Sequence, residues 1–215
     1  MIIISNKRKV LEILGVVATA LGKFVCMDYF HWRLQFVVTA VIIWGIYILH
    51  RKKNHPELLH YWGFRRDNFN LVVKQLLPFG LLAILIFFTF GIIRDTVQFN
   101  WHILPILLTY PIWGLIQQFL IMALVAGNLK DLQKVKFSRL GIIICTAFIF
   151  SIVHYPVMWL MLATFVMALF YGYIFLKNRN LYVLAIFHGW LGALFYYTVL
   201  GEDPFKDIFL KLFYS

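Results

Sequence analysis

Residues 71–93 read LVVKQLLPFGLLAILIFFTFGII, and this stretch decides the fold class. After Lys74 it carries no charged side chain. As a helix rising 1.5 Å per residue it reaches about 35 Å, more than the ~30 Å hydrocarbon thickness of a bilayer. Runs of the same kind recur along the chain. Of its 215 residues 62% are apolar and 13% charged, and the mean hydropathy is +0.82; soluble domains average ~45–50% apolar and ~25% charged. A soluble globular domain is excluded, and about seven spans of roughly 20 residues would leave no room for a separate catalytic domain. The expected architecture is an all-α polytopic integral membrane protein. It has about seven transmembrane helices plus a C-terminal amphipathic helix, all in a single membrane domain over 1–215.

Working outward from 71–93, the expected spans on the N-terminal side are 10–27 and 34–50. The first follows Lys7, Arg8 and Lys9 and lacks a small-residue cleavage site, so it reads as a retained span and not as a signal peptide. Glu12 and Lys23, near its two ends, are expected to snorkel to the interfaces. Between 51 and 70 the chain is at its most polar, and Leu58, Leu59, Tyr61, Trp62 and Phe64 suit a strip lying on the headgroups. On the C-terminal side the spans are 102–126, 140–155, 157–176 and 181–200. Pro105 and Pro111 are expected to bend or break the first of these. The next two, separated at Pro156, should form a tight helical hairpin. In the tail, Phe205, Ile208, Phe209, Leu212 and Phe213 recur opposite Lys206, Asp207 and Lys211, the pattern of an amphipathic surface helix.

The net charge of +11 would suggest nucleic acid in a soluble protein, but here the basic residues flank apolar runs. Their expected partners are anionic lipid headgroups, and no nucleic acid. With the N-terminus placed in the cytoplasm, fourteen Lys and Arg fall inside and five outside. That asymmetry predicts a cytoplasmic N-terminus and an external C-terminus, and a bacterial cell membrane is the expected location. Cys26 and Cys145 lie in apolar runs and fit no disulfide framework.

Polar groups inside a span are costly and are functional candidates by default. Here they are Gln117 and Gln118, His154 and His188. In Phe150-Ser-Ile-Val-His154 the ring and the histidine share a helical face, and His188-Gly-Trp-Leu-Gly192 begins a similar pattern. Each has a plainer account as well: mid-span amides glue helices together at ~0.6 kcal/mol apiece, an interfacial histidine is unremarkable, and Phe150 suits core or cavity wall.

The order of these elements resembles the CPBP family (CAAX protease and bacteriocin-processing, or Abi), which includes the type II CAAX prenyl endopeptidases. Its members carry Glu-Glu-x-x-x-Arg, then Phe-x-x-x-His, then His-x-x-x-Asn or Asp on successive spans. The second motif is intact at Phe150 to His154, and the third keeps its histidine as His188. Tyr61-Trp-Gly-Phe-Arg-Arg-Asp67 is similar to a segment often found upstream. The family-like core covers about 61–200.

The resemblance implies that the first glutamate and the second-motif histidine activate a water, while the third motif stabilises the oxyanion. This chain departs from that pattern at Gln117, Gln118, Met122 and Gly192, which stand where the family has two glutamates, an arginine and a polar side chain. An amide cannot accept a proton, so Gln117 cannot be the general base, although its carbonyl can orient a water. Losing one oxyanion donor typically costs about 10²–10³ in rate. Full family chemistry is therefore expected to be impaired.

Two classes of function follow. One is an intramembrane CAAX-type endopeptidase cleaving membrane-associated peptides, with His154 as base, Gln117 positioning the water and His188 polarising the scissile carbonyl; Gln118, Phe150, Met122 and Gly192 would line its cavity. The other is a pseudoprotease that holds a peptide or lipid in the same cavity as an immunity factor, scaffold or chaperone. A small transporter fits less well, because no intramembrane charge is expected to couple an ion. No cofactor is expected, and a catalytic zinc would want three protein ligands where only His154 and His188 can be assembled. Ser151 shares a helix with His154, a spacing read as coincidence.

Overall fold

A computed structural model describes residues 4–133 and 136–206. All regular structure among them is helical: α1 (Asn6–Lys23), α2 (Arg33–Asn54), α3 (Leu58–Trp62), α4 (Phe69–Arg94), α5 (Ile103–Gln118), α6 (Asn128–Lys130), α7 (Arg139–Ile152), α8 (Met158–Asn178) and α9 (Leu181–Phe195). Three π-helical stretches, Phe24–Tyr29, Phe119–Gly127 and Tyr196–Leu200, continue α1, α5 and α9. Six of the resulting helices are long and apolar enough to cross a membrane. The seventh expected span is α7, whose 14 residues reach about 21 Å. It ends at Ile152, earlier than the expected 155. The tail positions Ile208, Phe209, Leu212 and Phe213 lie outside the described residues.

Pro105 and Pro111 do not break the fourth span. Pro105 sits in the first turn of α5, where no intrahelical N–H is needed, and α5 runs on through Pro111. The irregular part comes later, at Phe119–Gly127, where the chain widens into a π-helix whose residues are all buried.

The chain divides into two compact units, Met1–Asn68 with Gln117–Tyr182 and Phe69–Ile116 with Val183–Ser215. In the first, α7 and α8 pack as a hairpin, and α1 lies against Phe119–Gly127. The 51–70 strip is not laid on headgroups: Leu58 and Trp62 are fully buried, and the Trp62 ring meets Phe119 edge-on at 5.2 Å. What pulls this segment inward is a polar hub. Arg179 donates from Nη2 to Asp131 Oδ2 at 2.6 Å and from Nη1 to the Tyr61 carbonyl at 3.1 Å, with its guanidinium over the Tyr61 ring. Tyr61 donates its hydroxyl to the same Asp131 oxygen at 2.6 Å, and the Lys9 ammonium bonds the Asp131 carbonyl. Burial alone would raise the Asp131 pKa, but the bonds from Arg179 and Tyr61 outweigh it and hold the carboxyl below the ordinary range. Gly63, at φ +101°, lets the chain turn beneath this hub, and a Cβ there would lie 2.9 Å from the Arg179 carbonyl oxygen.

Glu12 does not snorkel. It is 4% exposed, accepting from the Tyr47 hydroxyl and, at 2.7 Å, from the Asn128 amide. A membrane interior makes an unbonded carboxylate costly, and two donors from neighbouring segments keep this one inside.

In the second unit α4 packs against Tyr196–Leu200. Helices α5 and α9 approach so closely that a Cβ at Gly189 would collide with the backbone of Pro111, as small residues allow between spans. A second polar hub closes this unit: Asp203 accepts from Tyr197 at 2.8 Å and from Asn100 at 3.1 Å, and His102 Nδ1 lies 2.6 Å from its Oδ2. The outer faces of α1, α2 and α4 expose Leu14, Leu21, Ile43, Ile46, Leu85 and Ile92. A soluble protein would not leave such surfaces bare; lipid is their ordinary solvent.

Candidate functional site

Helix α7 starts at Ser138, whose hydroxyl accepts from the Gly141 N–H at 3.0 Å as an N-cap, and ends at Ile152. The last four carbonyls of a helix lack intrahelical donors. At this end the His154 N–H turns aside to the Ser151 carbonyl at 3.0 Å. The His154 ring reaches the Phe150 carbonyl instead, with Nδ1 2.7 Å from its oxygen. A carbonyl only accepts, so Nδ1 carries the hydrogen, and Nε2 of the neutral ring keeps its lone pair. The Phe150 ring, 3% exposed, meets the imidazole edge-on at 4.9 Å. The four-residue spacing of the motif thus sets the tautomer as well as the face.

Gln117 and Gln118 form the last turn of α5, immediately before the π-helical stretch. Gln117 is half-buried and Gln118 fully buried. Met122 is fully buried. These residues, with Phe150 and His154, belong to the first unit. Ser151 is committed elsewhere, since its hydroxyl donates to the Met161 carbonyl at 2.8 Å.

His188 and Gly192 belong to the second unit, on α9. The ring of His188 packs against α5: a Cβ added at Gly114 would come within 3.6 Å of its Cδ2 and within 3.0 Å of the Ala185 carbonyl oxygen. At Gly192 an added Cβ would find its nearest neighbours, His188 Cδ2 and Tyr110 Cδ2, at 4.0 Å. There is room beside His188 for a Cβ at this position.

One neighbour of the histidine turn escaped the sequence pattern. Lys23, from the end of α1, donates to the Tyr155 carbonyl at 2.9 Å. Nothing in the spacing of residues 132 positions apart could have announced it. No group of three or more His, Cys, Asp or Glu able to hold a metal occurs among the described residues.

The family model described as Type II CAAX prenyl endopeptidase Rce1-like matches residues 85–194. The match takes in all three motif positions, from Gln117 to Gly192, and leaves α1 to α3 outside. No curated protein matches the chain. No solved structure matches it either.

Proposed function

The chain belongs to the type II CAAX prenyl endopeptidase Rce1-like family, and on that premise we propose that it is a divergent intramembrane endopeptidase acting on membrane-associated peptides with weakened catalysis. The observation that carries this reading is the His154 tautomer. With Nδ1–H committed to the Phe150 carbonyl, Nε2 is the free acceptor that a general base requires. In the reaction, Nε2 takes a proton from a water while the water oxygen adds to the scissile carbonyl. The same proton then passes to the leaving amine as the C–N bond breaks. Gln117 orients the water by accepting its second hydrogen, and His188 donates to the developing oxyanion. The N-terminus lies in the cytoplasm in this reading, which thiol labelling of cysteines introduced at each terminus checks.

A pseudoprotease remains the second reading, favoured by the replacement of two carboxylates by amides at Gln117 and Gln118 and the missing side chain at Gly192. Cleavage of a membrane-bound peptide in proteoliposomes separates the two. An active wild type that loses cleavage in His154→Ala and in His188→Ala supports the enzyme, and unchanged cleavage in both overturns the mechanism. Gln117→Glu with Gln118→Glu restores the carboxylates of the first motif and should raise the rate by about 10²–10⁴. An inactive wild type that the double change cannot awaken points to the binding role.

A further inference from the structure

A lysine at the end of an apolar span ordinarily runs its stem along the lipid and presents its ammonium to headgroups. Lys23 does the opposite. Its side chain is 17% exposed, and its ammonium points back into the first unit. There it donates to Asp28 Oδ2 at 2.7 Å and to the Tyr155 carbonyl at 2.9 Å, with the Phe24 ring 4.5 Å away. An ammonium has three N–H donors; two are spent on these acceptors and the charge rests against an aromatic face.

What this secures is the turn that carries His154. The backbone and ring of that turn hold themselves by local bonds: Phe150 carbonyl to the His154 ring, Ser151 carbonyl to the His154 N–H, Ile152 carbonyl to the Tyr155 N–H, and His154 carbonyl to the Val157 N–H. The Tyr155 carbonyl receives its bond from α1, and a charge-assisted bond is roughly twice as strong as a neutral one. The residue bearing that carbonyl adjoins the histidine, so a rotation of the turn about Tyr155 would swing the ring off the Phe150 carbonyl.

We propose that Lys23 is a positioning residue for His154: its ammonium anchors the Tyr155 carbonyl and thereby holds the imidazole in the tautomer that leaves Nε2 open. Lys23 lies outside the family-matched residues 85–194, so this is a device of the chain's own N-terminal helix. It deepens the endopeptidase reading and rests on it for its catalytic consequence, while its structural part stands separately.

The test is ring-¹⁵N NMR of histidine-labelled protein in lipid nanodiscs, with His154 assigned by its loss in His154→Gln. The wild type should show the Nδ1–H tautomer. Lys23→Met should move the His154 signals toward a mixture of tautomers, and Lys23→Arg, which keeps a cationic donor, should retain the wild-type signal. Identical His154 signals in wild type and Lys23→Met, or equal changes in Met and Arg variants, overturn the proposal. Should Lys23→Met not fold, wild-type protein labelled at lysine ¹⁵Nζ and tyrosine ¹³C′ gives the Lys23–Tyr155 separation by dipolar recoupling, and a value beyond hydrogen-bond reach overturns it too. In proteoliposomes Lys23→Met should lower kcat at least tenfold with KM unchanged. If His154→Ala leaves cleavage intact, the role of His154 as base falls, and the ring signals still decide the role of Lys23.

Discussion

An imidazole accepts a proton only through the nitrogen that carries none, so the chemistry open to His154 is settled by where its Nδ1–H is spent. The spacing from Phe150 made the shared face legible in the sequence. The carbonyl that holds the ring became visible only with the end of α7 at Ile152, because a helix boundary decides which backbone groups a following side chain can reach. His188 poses the complementary question, since Gly192, one turn on, offers it no side chain. The 4.0 Å clearances at that position predict that Gly192→Asn folds with a stability change within about 0.5 kcal/mol, as surface-like substitutions do. Gly114→Ala, whose Cβ meets backbone at 3.0 Å, should cost about 1–3 kcal/mol by overpacking. Thermal unfolding in detergent compares the two. Loss of the fold in Gly192→Asn would show that the glycine is there for packing and not through loss of a functional group.

Among the elements, those that apolar run length governs matched the sequence best: α1, α2, α4, α8 and α9 all lie within a few residues of the expected spans. What hydropathy could not show was the work of partners distant in sequence. Glu12 and Lys23 looked like interfacial residues because their acceptors and donors come from α2, α6 and the turn after α7. Trp62 looked like a headgroup anchor because nothing local hints at Phe119 above it. The hub of Asp131, Arg179 and Tyr61 belongs to the same class, and it ties α3 to the chain on either side of α7 and α8. Its carboxylate takes bonds from both Arg179 and Tyr61, and charged hydrogen bonds contribute about 1.5–3 kcal/mol each. Since Arg179 and Asp131 remain 17% and 29% exposed at the side chain, solvent screening trims this, and Asp131→Asn should destabilise the protein by about 1–2 kcal/mol. A change at Lys52, which is exposed, should leave the unfolding midpoint unmoved. Equal midpoints for Asp131→Asn and wild type would mean the hub adds nothing to stability.

At the scale of the whole molecule, carboxylates are few and most of those inside are bonded, so acid should act through a small number of them. Burial would raise the pKa of Asp203, yet the bonds from His102, Tyr197 and Asn100 outweigh it and bring the carboxyl to about 2. In the unfolded chain an aspartate titrates near ~3.9. A folded pKa below the unfolded one means that the folded state holds its proton less readily, so the stability it contributes is complete above about pH 4 and is lost as the pH falls toward 2. The Asp131 shift has the same direction, so its contribution is likewise lost on acidification. Because Asp203 sits in a loop at the end of the last span, its share after screening is about 1–2 kcal/mol. Unfolding midpoints in detergent should therefore be nearly level from pH 7 to 5 and drop steeply below about pH 4. Asp203→Asn should begin lower at pH 7 and fall less on acidification, since the group that must take up the proton is gone. Parallel curves for variant and wild type would show that the His102 and Tyr197 bonds do not bias this carboxyl toward its charged form.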